Sequence, residues 1–156
     1  VHVSISRREL LGGGATAAAV GWVATAEAAT PRVQVGTLAA LAVGAPRWFT
    51  WPDGRSPAVL LKLGRPVPGG VGPDRDVVAY SAVCTHLGCV VQVKDDRLVC
   101  PCHWSMFDPA VGGRCYQGPA PTALPRIVLE VDDDGSIAAV GSDGVVWGRL
   151  GPEVQP

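Results

Sequence analysis

Apolar residues along the chain fall in short runs broken by turn-forming residues, which is the signature of strands rather than helices. Arg32-Val33-Gln34-Val35 alternates and predicts a first strand. From Ala39 to Pro57 the chain is punctuated by Gly44, Pro46, Pro52, Asp53-Gly54 and Pro57, so strands there must be short. The run Ala58-Val59-Leu60-Leu61-Lys62-Leu63 predicts a buried strand, and Asp76 to Ala82 predicts another, across a Gly/Pro connector from Gly64 to Asp74. Val90 to Val93 and Arg97 to Val99 flank Lys94-Asp95-Asp96 as a β-hairpin. Leu124 to Val131, Ile137 to Val140 and Val145 to Trp147 predict three closing strands. Turns at Asp132-Asp133-Asp134-Gly135 and Ser142-Asp143-Gly144 separate them. The whole reads as a loop-rich all-β domain.

Composition agrees: 20 glycines and 14 prolines accompany a charged fraction of only 17%. At 156 residues the chain is one domain with an appendage. A net charge of −1 gives no nucleic-acid footprint. The appendage is residues 1–29. Ser6-Arg7-Arg8-Glu9-Leu10-Leu11 matches the twin-arginine export pattern, with Arg7 and Arg8 as its signal pair. An uncharged Gly/Ala-rich run follows, and Ala24-Thr25-Ala26 or Ala26-Glu27-Ala28 offers a small-residue cleavage site. An uncleaved segment would be the one point of membrane contact. The expectation is a periplasmic or otherwise extracytoplasmic domain spanning 30–156, exported already folded.

The chemistry is concentrated between Cys84 and Phe107. Cys84-Thr85-His86-Leu87-Gly88-Cys89 and Cys100-Pro101-Cys102-His103-Trp104-Ser105 lie on either side of the predicted hairpin, which returns the second beside the first. Cys84, His86, Cys100 and His103 supply two thiolates and two imidazoles, the ligand set of a Rieske [2Fe–2S] centre. Neutral imidazoles in place of two thiolates remove negative charge, which lifts the potential from roughly −400 mV to about −150 to +300 mV. On that reading Cys89 and Cys102 would be a disulfide tying the two loops together, which needs an oxidising compartment. A Cys2His2 zinc site leaves Cys89 and Cys102 unexplained, and a pure disulfide scaffold leaves the histidines unexplained. The region around 81–121 is thus the cluster-binding part. In Rieske centres the serine at the place of Ser105 donates a hydrogen bond to a cluster sulfur. The tyrosine often found two residues later is here Phe107, so a lower potential is expected. Gly112 to Pro121 predicts a third loop able to cover the cluster, and Cys115 a buried free thiol. Trp48, Phe49 and Trp51 form an aromatic cluster read as packing, with a partner-binding patch as the other reading.

The flanking residues narrow the resemblance. Gly69-Gly70-Val71-Gly72-Pro73-Asp74-Arg75-Asp76-Val77-Val78-Ala79-Tyr80-Ser81 resembles the Rieske small subunit of arsenite oxidase. So do Phe107-Asp108-Pro109 with Gly112-Gly113, and Ala139 to Arg149. Gly118-Pro119-Ala120-Pro121 is closer to the Rieske proteins of cytochrome bc complexes. The resemblance implies the Rieske iron–sulfur fold, a small antiparallel β-sandwich or barrel with two cluster-binding loops. It also implies a heterodimer with a molybdopterin- and iron–sulfur-containing large subunit, and a soluble cytochrome c or cupredoxin as electron acceptor. This chain would then carry no catalytic residue of its own. Two other expectations stay open: a related molybdoenzyme such as an iodate reductase, and the Rieske subunit of a quinol-oxidising bc complex.

Overall fold

The structure, a computed structural model, describes residues 30–146. The twin-arginine segment, Trp147 and the tail beyond it lie outside the described residues. Among the described residues, ten strands form two antiparallel sheets. The larger has six: β1 (Val33–Thr37), β2 (Arg47–Thr50), β3 (Pro57–Lys62), β4 (Val77–Ser81), β9 (Arg126–Val131) and β10 (Ser136–Asp143), in the order β1-β10-β9-β4-β3-β2. The smaller has four, β5 (Gln92–Lys94), β6 (Arg97–Val99), β7 (Met106–Asp108) and β8 (Arg114–Gln117), in chain order.

The continuous apolar runs of β3 and β4 have a direct cause. Successive strand side chains point to opposite faces, and both faces of these strands are covered. Val59, Leu61, Val78 and Tyr80 pack towards Leu98, Phe107 and Leu124 under the small sheet. Ala58, Leu60, Val77 and Ala79 pack towards Val35, Trp51, Ile127 and Ile137 inside the curl of the large sheet. That curl nearly closes: the Trp51 indole N–H donates to the Pro31 carbonyl at 3.1 Å, although Pro31 leads into β1 and Trp51 follows β2 at the opposite edge. The two cores share β3 and β4, so the small sheet sits on a fully packed support.

Several expectations are revised. β10 runs on through Ser142 and Asp143, which pair with Ile127 and Arg126; a register shift between Ala139 and Gly141 absorbs the break that Gly-Ser-Asp-Gly suggests. Val145 and Val146 form no strand, and Val145 is exposed. The predicted third loop contains β8, which pairs with β7. Cys115, on β8 opposite Phe107, is free but only half-buried rather than buried, because β8 is an edge strand. Of the aromatic cluster, Trp51 is core, Phe49 half-buried and Trp48 exposed. The acidic turn behaves as a solvated turn: Asp132 pairs with Arg32 at 2.7 Å, and Asp134 accepts from the N–H and hydroxyl of Ser136.

Tyr80 links the two halves of the molecule. It is fully buried, and its hydroxyl donates to the Pro109 carbonyl at 2.8 Å. Replacing Tyr80 by Phe strips that carbonyl of its donor and lowers stability by about 1–2 kcal/mol in urea unfolding at neutral pH. Burial also pushes the Tyr80 phenol from 10.0 up to about 12. A raised folded value means that its contribution is complete below about pH 10 and lost as the pH rises towards about 12. The Phe variant should therefore lose less stability across that window; equal losses in both proteins would remove Tyr80 as the source.

Candidate metal centre

The Cys-His segments form two loops at one end of the small sheet, between β4 and β5 and between β6 and β7. Each closes on its own backbone, and in the same way. In the first, Cys84 N–H donates to Cys89 O at 2.9 Å and Gly88 N–H donates to Cys84 O at 2.9 Å. In the second, Cys100 N–H donates to Ser105 O at 2.8 Å and Trp104 N–H donates to Cys100 O at 3.0 Å. Two six-residue rings therefore match position by position, with a free cysteine first in each. The fifth position must turn left-handed: Gly88 has φ 82°, and Trp104 adopts φ 60° at the equivalent place. Glycine takes that conformation without penalty, whereas another residue loses roughly 1–2 kcal/mol. The Lys94 ammonium lies 5.6 Å from the Trp104 ring centroid, close enough to hold the exposed indole.

The loops carry the four candidate ligands and the two candidate bridge cysteines. Cys89 and Cys102 are joined in a disulfide, with Cα atoms 6.5 Å apart. Cys84 and Cys100 are free and buried, and their side chains are in hydrogen-bonding contact. The rings of His86 and His103 stand edge to face, 4.8 Å between centroids; His103 is exposed and His86 half-buried. The sulfurs of Cys89, Cys100 and Cys102 also lie within 4.8 Å of one another, but two of them are spent in the bridge, so this trio is no ligand set.

Two observations show that this donor set fits a bound iron–sulfur group. Among the described residues, the Nδ1 atom of His86 is the buried side-chain nitrogen or oxygen that has no hydrogen-bond partner. Leaving such an atom unpaired costs about 1–3 kcal/mol, and a metal ion removes the deficit. Burial pushes the Cys84 thiol up, and contact with Cys100 adds to the rise. The backbone N–H groups of His86 and Leu87 donate to its sulfur and oppose it, as a thiolate ligand requires.

A third segment covers the loops, as the sequence predicts, through contacts it does not reveal. Thr85 Oγ1 donates to the Thr122 carbonyl at 2.8 Å, and Ala120 N–H donates to Ser105 Oγ at 3.1 Å. Ser105 is fully buried, and accepting this bond leaves its own proton free for donation. Gly118 lies so close that an added Cβ would stand 2.5 Å from the Ser105 Cα. Phe107 is fully buried in the core beneath the loops and offers no donor.

A family model for the Rieske [2Fe–2S] domain matches residues 50–141. The iodate reductase subunit IdrB of Denitromonas iodatirespirans is 40% identical over 92% of this chain and 84% of its own length. IdrB of Pseudomonas sp. (strain SCT) is 38% identical over 75% of this chain and 63% of its own length. Among solved structures, the soluble domain of the Rieske protein II (soxF) from Sulfolobus acidocaldarius is similar, with a TM-score of 0.67 and 28% identity. That likeness covers 81% of this chain and 85% of that one.

Gly118→Ala tests the fit of the covering segment. The methyl group meets backbone rather than a side-chain tip, and φ is +91° there, so the segment must lift from Ser105. The expected loss is about 1–3 kcal/mol of stability, read by thermal unfolding, with faster exchange of the Ala120 amide. Unchanged exchange at Ala120 would refute the contact.

Proposed function

The chain belongs to the Rieske [2Fe–2S] domain family, and on that premise we propose that it is the electron-relaying small subunit of an oxyanion-converting molybdoenzyme of the iodate reductase kind. Electron transfer through an iron–sulfur cluster is the family's part of this statement. The finer part is carried by the similarity to IdrB, which runs through 92% of this chain rather than through the cluster loops alone. The similarity favours iodate over arsenite as the large subunit's substrate.

Cys84 and Cys100 would hold one iron as thiolates, and His86 and His103 the other as neutral imidazoles. The cluster supplies reversible one-electron transfer at a potential raised by the missing thiolate charge. The chain does the rest. The N–H groups of His86 and Leu87 steady the Cys84 sulfur. The Cys89–Cys102 bridge keeps the two loops at a fixed separation. The buried Ser105 hydroxyl, oriented by Ala120, is placed to donate towards a cluster sulfur, and Phe107 keeps water out without adding a second donor. The exposed His103 edge gives the outgoing or incoming electron a short path to a partner. In the iodate sense, electrons arrive from a soluble cytochrome c or cupredoxin and pass to a large subunit holding molybdopterin and an iron–sulfur cluster. In the arsenite sense they run the other way. Export by the twin-arginine route through Arg7-Arg8 is part of the same proposal, and a disulfide between the loops supports an oxidising destination.

Changing Cys84, His86, Cys100 or His103 singly to Ala should abolish the visible and EPR spectra of the cluster. A variant that keeps the full spectrum removes its residue from the ligand set.

The substrate is tested on the complex purified from its native host. After anaerobic reduction and removal of excess reductant, iodate should erase the Rieske EPR signal of the complex but not that of the isolated small subunit. A signal that iodate leaves untouched, and that arsenite generates in the oxidised complex, would assign the chain to arsenite oxidase. One generated by a quinol alone would assign it to a bc complex.

A further inference from the structure

The loop-crossing disulfide has a free thiol beside it. Cys89 and Cys102 form the bridge, Cys100 is unpaired and buried, and all three sulfurs lie within 4.8 Å of one another. Thiolates displace one sulfur of a disulfide through a mixed-disulfide route that consumes no oxidant, provided the attacking sulfur has access. Burial of Cys100 shuts out thiols and oxidants from solution but not a bridge already in contact range.

We propose that in the cluster-free chain Cys100 opens the Cys89–Cys102 bridge, and that the cluster, by engaging Cys100, is what preserves that bridge. This rests on the ligand role of Cys100 proposed above. In the exchange a new S–S bond forms between Cys100 and Cys89 while the Cys89–Cys102 bond breaks. The electron pair leaves on the Cys102 sulfur, and the proton given up by Cys100 ends there. One disulfide is made and one lost, so no net oxidation occurs. The choice of target follows from the chain. A Cys100–Cys102 bridge would have to close across Pro101 alone, whereas Cys89 sits on the opposite loop. Cys102 is exposed, so its departing thiolate is received by water, which a buried sulfur would lack.

The product cannot take up a cluster, because one of the two buried thiols is consumed and the thiol set free points to solvent. Cluster loss is then self-sealing. Assembly has a required order: cluster first, bridge second.

The test maps disulfides in the full chain, first with its cluster and then after the cluster is stripped by a chelator. No added thiol or oxidant is present, and released sulfide is swept out under nitrogen. Alkylation and peptide mass analysis should find Cys89–Cys102 alone in the loaded chain. In the stripped chain they should find Cys89–Cys100 as the main bridge, with Cys102 alkylated. The Cys100→Ser chain, carried through the same treatment, should keep the Cys89–Cys102 bridge. A stripped native chain that keeps Cys89–Cys102, a scatter of bridges that includes Cys84 or Cys115, or a Cys100→Ser chain that scrambles equally would each overturn the proposal. Failure of the ligand reading shows separately, as a Cys100→Ser chain that still binds the cluster.

Discussion

Loops that hold a metal group have to keep their shape without a core of their own. Here the constraint is met by backbone alone: each six-residue loop ties its first amide to its last carbonyl and its fifth amide to its first carbonyl. Those bonds fix where Cys84 and Cys100 stand before any side chain contributes. The rest of the structure serves that arrangement. β3 and β4 are buried on both faces and give the small sheet an immovable floor. The short β5–β6 hairpin sets the distance between the loops, and the disulfide locks it.

The covering segment completes the enclosure by a different principle. It makes no sheet contact with the loops and relies on single hydrogen bonds, Thr85 to Thr122 and Ala120 to Ser105, together with the bare backbone of Gly118. One of these bonds ends on the buried Ser105 hydroxyl. On the proposed reading, in which that hydroxyl donates towards the cluster, the segment that covers the loops also orients the group that tunes the redox centre.

Much of this was legible because local chemistry and global fold agree. The Cys-His spacing carried the donor set, the run Ala58 to Leu61 carried a doubly buried strand, and Lys94-Asp95-Asp96 carried the hairpin that brings the loops together. What stayed hidden depends on contacts distant in sequence. Gly141-Ser142-Asp143-Gly144 has the composition of a turn. Its first three residues remain in β10 because Arg126 binds Asp143 from the neighbouring strand and a bulge at Gly141 restores the register. Arg114 to Gln117 has too weak an alternation to announce a strand, and it becomes one by pairing with β7. Cys115 reads as core by residue type, but an edge strand covers only one side of it. Thr122 and Ala120 carry no signal at all, since only their backbone atoms are used.

The matched rings differ in one respect that reaches beyond this chain. Their backbones superimpose in pattern, but the histidine stands third in the first ring and fourth in the second, and the third place of the second ring holds the bridge cysteine Cys102. A repeated main-chain frame with movable side-chain stations is a modular part. A six-residue cassette of this kind, closed by its own two amides and entered and left by strands as short as three residues, asks little of the protein that hosts it. It could be transplanted in pairs onto any stiff antiparallel sheet, and the host would need to supply only the spacing.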